Sequence, residues 1–148
     1  GPVMNNTFRM DWNATEGLLP AQLPRMWTRL NPIDSDVKYL VGLYLDDNNY
    51  IAFRADTGIS PNWKAVCRVG GAETEVDTGI PLADAKISLE MITISAGEVR
   101  FNVDGVLKAT IDTNVPAVAL QAFLKVETLG AFARWLDVDA VVITSGRV

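Results

Sequence analysis

Acid–base chemistry in this chain would have to run on carboxylates, because histidine is absent from its 148 residues. That absence removes the commonest general base and metal ligand, together with every Ser-His-Asp or Cys-His scheme. Cys67 is the single cysteine. It has no histidine to activate it and no second cysteine for a disulfide or a metal cluster. It lies in an apolar strand-like run and reads as a buried thiol. Two carboxylates across a groove are enough to cleave a glycosidic bond. Asp137 and Asp139 stand two apart on one strand and read as sharing a face, most simply a solvated one. Glu73, Glu75 and Asp77 form a second such row, read as a charged outer face that discourages edge pairing. Asp34, Asp36, Asp46 and Asp47 fall in loops, where oxygen ligands for calcium are conceivable, but acidic loops are common without it. The expected cofactor is none. Gly70-Gly71 precedes a strand and not a helix, so it is no phosphate-binding loop.

Net charge is −5, and no two Lys or Arg residues are adjacent. A nucleic-acid partner wants a clustered basic face, so neither nucleic acid nor an anionic membrane is an expected partner. No stretch reaches the roughly 18 apolar residues of a membrane helix, and no signal peptide is expected. Gly1-Pro2 has the form left when a protease removes an affinity tag, and residues 3–148 read as one domain. A domain of that size buries about 70% of its unfolded surface and needs neither disulfide nor metal.

Short strand-like runs recur about every ten residues between turn signals, the pattern of an all-β sandwich. They are Phe8-Arg9-Met10-Asp11-Trp12 and residues 26–30, 37–45, 50–55, 63–69, 72–77, 86–95, 99–103, 106–111, 120–128 and 133–144. That is eleven strands and no convincing helix. Residues 18–26 are the best helical stretch, but Pro20 and Pro24 spoil it. Alternation assigns Phe8, Val41, Leu43, Phe53, Leu89, Phe101, Leu124 and Val138 to the interior of two packed antiparallel sheets, a jelly-roll sandwich.

Side-chain parity also selects turns. An odd loop after Leu45 sets it opposite Ile51 and Leu43 opposite Phe53, leaving Tyr44, Tyr50 and Arg54 outward. A three-residue loop 103–105 sets Phe101 opposite Leu107 and Val99 opposite Ala109. A two-residue turn at Gly70-Gly71 pairs Arg68 with Glu73 outward and Ala65 with Val76 inward. Parity thus nominates Tyr44, Tyr50, Arg54, Arg68, Arg100 and Asn102 as ligand-binding candidates. Tyrosine rings stack on sugar rings, while arginine and asparagine reach hydroxyls or an acidic substituent. An arginine-rich site would suit an anionic polysaccharide. Trp12 fits a core position, and Trp63, which follows a polar loop, reads as the end of a core stripe, with a loop platform for a sugar ring as the alternative.

From residue 49 the chain resembles a known group. Asn49-Tyr50-Ile51-Ala52-Phe53-Arg54, Asn62-Trp63-Lys64-Ala65-Val66 with Arg68, and Val99-Arg100-Phe101-Asn102-Val103-Asp104-Gly105-Val106 carry the likeness. Thr113-Asn114-Val115-Pro116 and the run from Ala133 through Arg134-Trp135-Leu136-Asp137-Val138-Asp139-Ala140-Val141 extend it. Together they resemble the lectin-like jelly rolls of bacteriophage tail fibres, tailspikes, head fibres and decorations. The resemblance implies a concanavalin-A/glucanase-type sandwich located on a virion. Its implied partners are a host-surface polysaccharide or other virion proteins, with a homo-oligomer possible, a trimer on a fibre. A purely structural decoration is the alternative reading. The related glucanases carry a Glu-x-Asp-x-x-Glu strand that this sequence lacks, which argues against that activity; no enzyme is expected, and a glycan-cleaving enzyme is the least favoured alternative. The motifs are turn and core signatures, so no catalytic or sugar-binding residue transfers.

Overall fold

A computed structural model describes the backbone of residues 7–11 and all atoms of residues 17–145. Among the described residues eleven strands follow in order, with almost no helix. They are β1 (Thr7–Asp11), β2 (Pro24–Asn31), β3 (Val37–Asp46), β4 (Asn49–Asp56), β5 (Asn62–Val69), β6 (Ala72–Pro81), β7 (Ile87–Ser95), β8 (Glu98–Val103), β9 (Val106–Ile111), β10 (Gln121–Thr128) and β11 (Asp137–Ser145). The chain is all-β, as the alternation implies. Of the proline-interrupted stretch 18–26, only Pro20–Gln22 coils, into one 3-10 turn. Among the described residues no helix is long and apolar enough to cross a membrane.

Two antiparallel sheets pack face to face. One has six strands in the order β1-β10-β3-β4-β5-β6, and the other has five in the order β11-β2-β7-β8-β9. Val41, Leu43, Phe53, Leu89, Phe101 and Leu124 are all buried between them, and Val138 packs against that core from the margin. Phe8 and Trp12 lie outside the described side chains. The core is locked by aromatic geometry. Phe53 of the first sheet meets Phe101 of the second edge-on, with centroids 5.3 Å apart, and Trp63 lies 6.4 Å from Phe53 and 5.9 Å from Tyr39. Each such pair adds about 1 kcal/mol beyond the area it buries.

Three bulges set the faces where parity alone misjudges them. Asp46 accepts bonds from the Asn48 N–H and the Asn49 side chain, closing a tight turn at Asp47-Asn48. Leu45 becomes the extra residue, 42% exposed, and Leu43 faces Ile51 instead. The odd loop and inward Leu45 are therefore replaced by a two-residue turn plus a bulge. The second hairpin turns on Asp104 and Gly105, both with positive φ, again two residues and not three. Its bulge falls beside Asn102, so Phe101 meets Ala109 and Val99 meets Ile111. In β11 the extra residue is Asp139, between Val138 and Ala140, which turns Val141 and Ile143 toward the core after Val138. Only the Gly70-Gly71 turn keeps the expected pairs, Arg68 with Glu73 and Ala65 with Val76.

Gly42 is required by close approach. A Cβ there would lie 2.2 Å from the Ile51 carbonyl oxygen and 2.6 Å from the Ala52 Cα. Both obstacles are backbone, so Gly42→Ala is expected to lower unfolding free energy by roughly 1–3 kcal/mol in denaturant titrations. An unchanged midpoint would contradict this packing. Cys67 is fully buried beside Ala65, and burial pushes its thiol up to about 12. Slow reaction with a thiol reagent in the native state and fast reaction in denaturant are expected.

Candidate functional site

The outward face of the six-stranded sheet is a lattice of cross-strand rows. The first row runs Gln121–Tyr44–Tyr50–Arg68–Glu73, the second Phe123–Gly42–Ala52–Val66–Glu75, and the third Lys125–Leu40–Arg54–Lys64–Asp77. The middle three positions of the second row carry small or absent side chains. Leu40, Tyr44, Tyr50 and Phe123 close over them, so that Ala52 and Val66 are buried in a small apolar cluster on this outer face. A cleft of about 280 Å³ opens beside that cluster, lined among others by Leu40, Tyr50, Arg54, Arg68, Lys38 and Lys125. Lys38 and Arg54 also border a second cleft of about 320 Å³ that takes in Asp56, Ile59, Asn62, Lys64 and Glu75.

Tyr44 and Tyr50 point away from the core, as parity implies, but neither offers an open ring. Each is only 5% exposed. Tyr44 stacks on Phe123 at 3.7 Å, over the space that Gly42 leaves, and on Tyr50 at 6.2 Å. The Tyr44 hydroxyl donates to Asp47 at 2.7 Å. As stacking platforms for a sugar the two rings are therefore corrected to a packed floor.

The polar chemistry centres on Arg54. Its guanidinium donates to the Tyr50 hydroxyl at 2.9 Å, to Glu73 at 2.6 Å and to Glu75. Burial disfavours the charge on Arg54, but its bonds to Glu73, Tyr50 and Glu75 outweigh that and raise its pKa. Arg68 donates to the other Glu73 oxygen at 2.7 Å, and Arg54 holds the Glu73 carboxyl below the usual range. Glu73 and Glu75, read from sequence as edge protection, are thus the partners of both arginines. The expected surplus of positive charge is neutralised on this face.

Arg100 and Asn102 are not here. They lie on β8, in the five-stranded sheet, so the six nominated residues divide between two opposite faces. The other acidic groups also separate. Asp34 and Asp36 precede β3 while Asp46 ends it and Asp47 follows, so the two pairs lie at opposite ends of a ten-residue strand and cannot share one calcium ion. Among the described residues no three acidic side chains converge on a metal position. Asp139 in its bulge pairs with Lys86 at 2.8 Å, and Asp137 is an exposed neighbour outside that pairing. Sequence reasoning missed Lys38, Lys125 and Phe123. The last two sit on β10, whose pairing with β3 spans some eighty residues and leaves no local signal.

No family model matches the chain, and no curated protein matches it in sequence. Solved structures share its fold. A homodimeric agglutinin from chicken liver aligns over 94% of this chain and all of its own, at 12% identity and a TM-score of 0.61. The Bacillus licheniformis beta-glucanase aligns over 95% of this chain and 71% of its own, at 14% identity and 0.66. An alginate lyase of polysaccharide lyase family 7 aligns over 92% and 67%, at 11% identity and 0.64. These likenesses establish the concanavalin-A-like jelly roll.

The pairs along β6 respond to acid. Lys64 at 2.6 Å, with the Gly79 N–H and Asn62, lowers the Asp77 carboxyl from 3.8 to about 2. A depressed folded value stabilises above the unfolded one, and the gain disappears as pH falls through the folded value. Stability is expected to fall between about pH 4 and 2, less steeply in Lys64→Met. Identical acid profiles for parent and variant would contradict the assignment.

Proposed function

We propose that this domain recognises a carbohydrate in the hollow of its six-stranded sheet, as a surface module of a phage-like virion. The observation that carries the reading is the cleft on this face, where Leu40 and Tyr50 lie among the long polar side chains of Lys38, Arg54, Arg68, Lys125 and Glu127. A sugar needs donors and acceptors together over a shallow apolar floor. Arg54, Arg68, Lys38 and Lys125 supply donors, while Glu75, Asp47 and Glu127 supply acceptors. Because Arg54 and Arg68 are matched by Glu73 and Glu75, the hollow suits a neutral, hydroxyl-rich glycan better than a polyanion.

Binding is preferred to cleavage. Asp56 and Glu75 border the same cleft, the carboxylate pair that a glycosidase would require. Both carboxylates are engaged in ion pairs, Asp56 with Lys38 and Glu75 with Arg54, which leaves neither open to act as acid or nucleophile.

The virion placement rests on the resemblance of residues 49–141 to phage lectin-like domains. There the partners are a host-surface polysaccharide or neighbouring virion proteins, and copies of the chain assemble, as a trimer on a fibre. Phe132 and Trp135, 74% and 57% exposed in the β10–β11 loop, support a protein neighbour at that end. A purely structural decoration would bind no glycan.

A glycan array followed by titration calorimetry tests the reading. Arg54→Ala and Arg68→Gln are each expected to weaken the selected glycan by at least ~1 kcal/mol, with the fold intact by circular dichroism. Full binding by both variants, or no glycan bound by the parent, would sink it.

A further inference from the structure

The outer face of the five-stranded sheet holds a second polar constellation, separated from the first by the whole thickness of the sandwich. Two adjacent cross-strand rows form it. One runs Val142–Trp27–Glu90–Asn102–Leu107, and the next runs Thr144–Arg25–Ile92–Arg100–Thr110. A depression of about 350 Å³ opens between Arg25, Trp27, Glu90, Val142 and Thr144. Its wall is built rather than incidental. Glu90 is only 9% exposed, and its carboxylate accepts from Arg25 Nε at 2.9 Å and from Asn102 Nδ2 at 3.0 Å. A carboxylate held by two donors is a fixed acceptor beside a half-buried indole.

Charge distinguishes this face from the other. Arg25 is matched by Glu90, and Arg29 lies 3.7 Å from Asp139. Arg100 is exposed and forms no ion pair among the described residues. One open guanidinium therefore remains, on the strand two removed from Trp27. The register puts Trp27 and Arg100 roughly 12 Å apart, from about 4.8 Å per strand and about 7 Å per two residues. A single ring cannot reach both, whereas a short chain lying across the strands can.

We propose that this face is a second saccharide site, specific for an acidic oligosaccharide. Trp27 and Val142 carry one sugar ring, Glu90 accepts from its hydroxyls, and Arg100 pairs with a carboxylate further along the chain. Aromatic stacking on the apolar side of a sugar and a bidentate guanidinium–carboxylate pair account for the two ends. With the opposite hollow occupied as well, one domain would hold two glycan strands at once.

Calorimetric titration with tetragalacturonate, with maltotetraose as the neutral control, tests the proposal. The parent is expected to bind the acidic chain and not the neutral one at this face, more weakly at high salt because Arg100 is exposed. Arg100→Ser, a surface change that leaves the core untouched, is expected to weaken binding at least ~10-fold, and Trp27→Ala likewise. Arg54→Ala, on the other face, should leave tetragalacturonate binding unchanged. The proposal is overturned if tetragalacturonate does not bind, which would leave the face to a protein neighbour. It is equally overturned if Arg100→Ser binds as the parent does, or if Arg54→Ala alone abolishes binding.

Discussion

The approach of β3 to β4 at Gly42 governs the candidate face. With no Cβ at that position, the Ile51 carbonyl and the Ala52 backbone can close to within a methyl group's reach. The same vacancy lets Phe123 lie flat against Tyr44 on the outer side. Two consequences follow from one missing atom. Pairing of Leu43 with Ile51 and of Val41 with Phe53 is locked on the core side. On the outer side, the small middle row lets Tyr44, Tyr50, Leu40 and Phe123 settle into one buried cluster beside the cleft. A bulkier residue at Gly42 would push β4 outward, taking Tyr50 and Arg54 with it.

Electrostatics then decide what the hollow can hold. The protein is acidic overall, yet its six-stranded sheet carries four cationic side chains around one cleft. Arg54 and Arg68 are tolerated in a partly buried setting because Glu73 and Glu75 from the edge strand reach across to them, and Lys38 lies 3.8 Å from Asp56. Buried charge is costly unless paired and hydrogen-bonded. Matched pairs leave donors and acceptors in fixed directions with little net field, which is the chemistry of hydroxyl recognition. The other sheet divides its charge differently. There Glu90 consumes Arg25, and Arg100 has no ionic partner among the described residues.

Strand identity was legible throughout, because nearly every segment alternates with period two and ends in a turn residue. Interior residues such as Val41, Phe53, Leu89 and Phe101 followed from that period. Registers were less legible, because parity assumes regular strands and a bulge inserts a residue without changing the composition of its neighbours. Leu45, Lys108 and Asp139 look like ordinary strand residues. The side-chain bonds of Asp46 and the positive φ of Asp104 and Gly105, visible in three dimensions, mark the tight turns that leave Leu45 and Lys108 as the extra residues. The candidate site was half legible. Parity within the β3–β4–β5 meander found Tyr44, Tyr50, Arg54 and Arg68 because their pairing is local. It could not say that Phe123 and Lys125 would join them, or that β8 belongs to the opposite sheet. Whether a sheet-facing tyrosine is open or stacked also depends on its non-local neighbours.

The division of the six candidates between two sheets changes how the molecule is to be understood. A single arginine-rich face implied one anionic ligand. Two faces back a common core whose aromatic contacts, Phe53 on Phe101 and Trp63 on Tyr39, fill the space between them. Such a core is close-packed and side chains inside it have little room to move. A surface change on one face therefore has no bistable element through which to reach the other, and distant sites without shared partners behave additively. The two faces are thus free to take chemically different ligands, one charge-balanced and one with an open guanidinium.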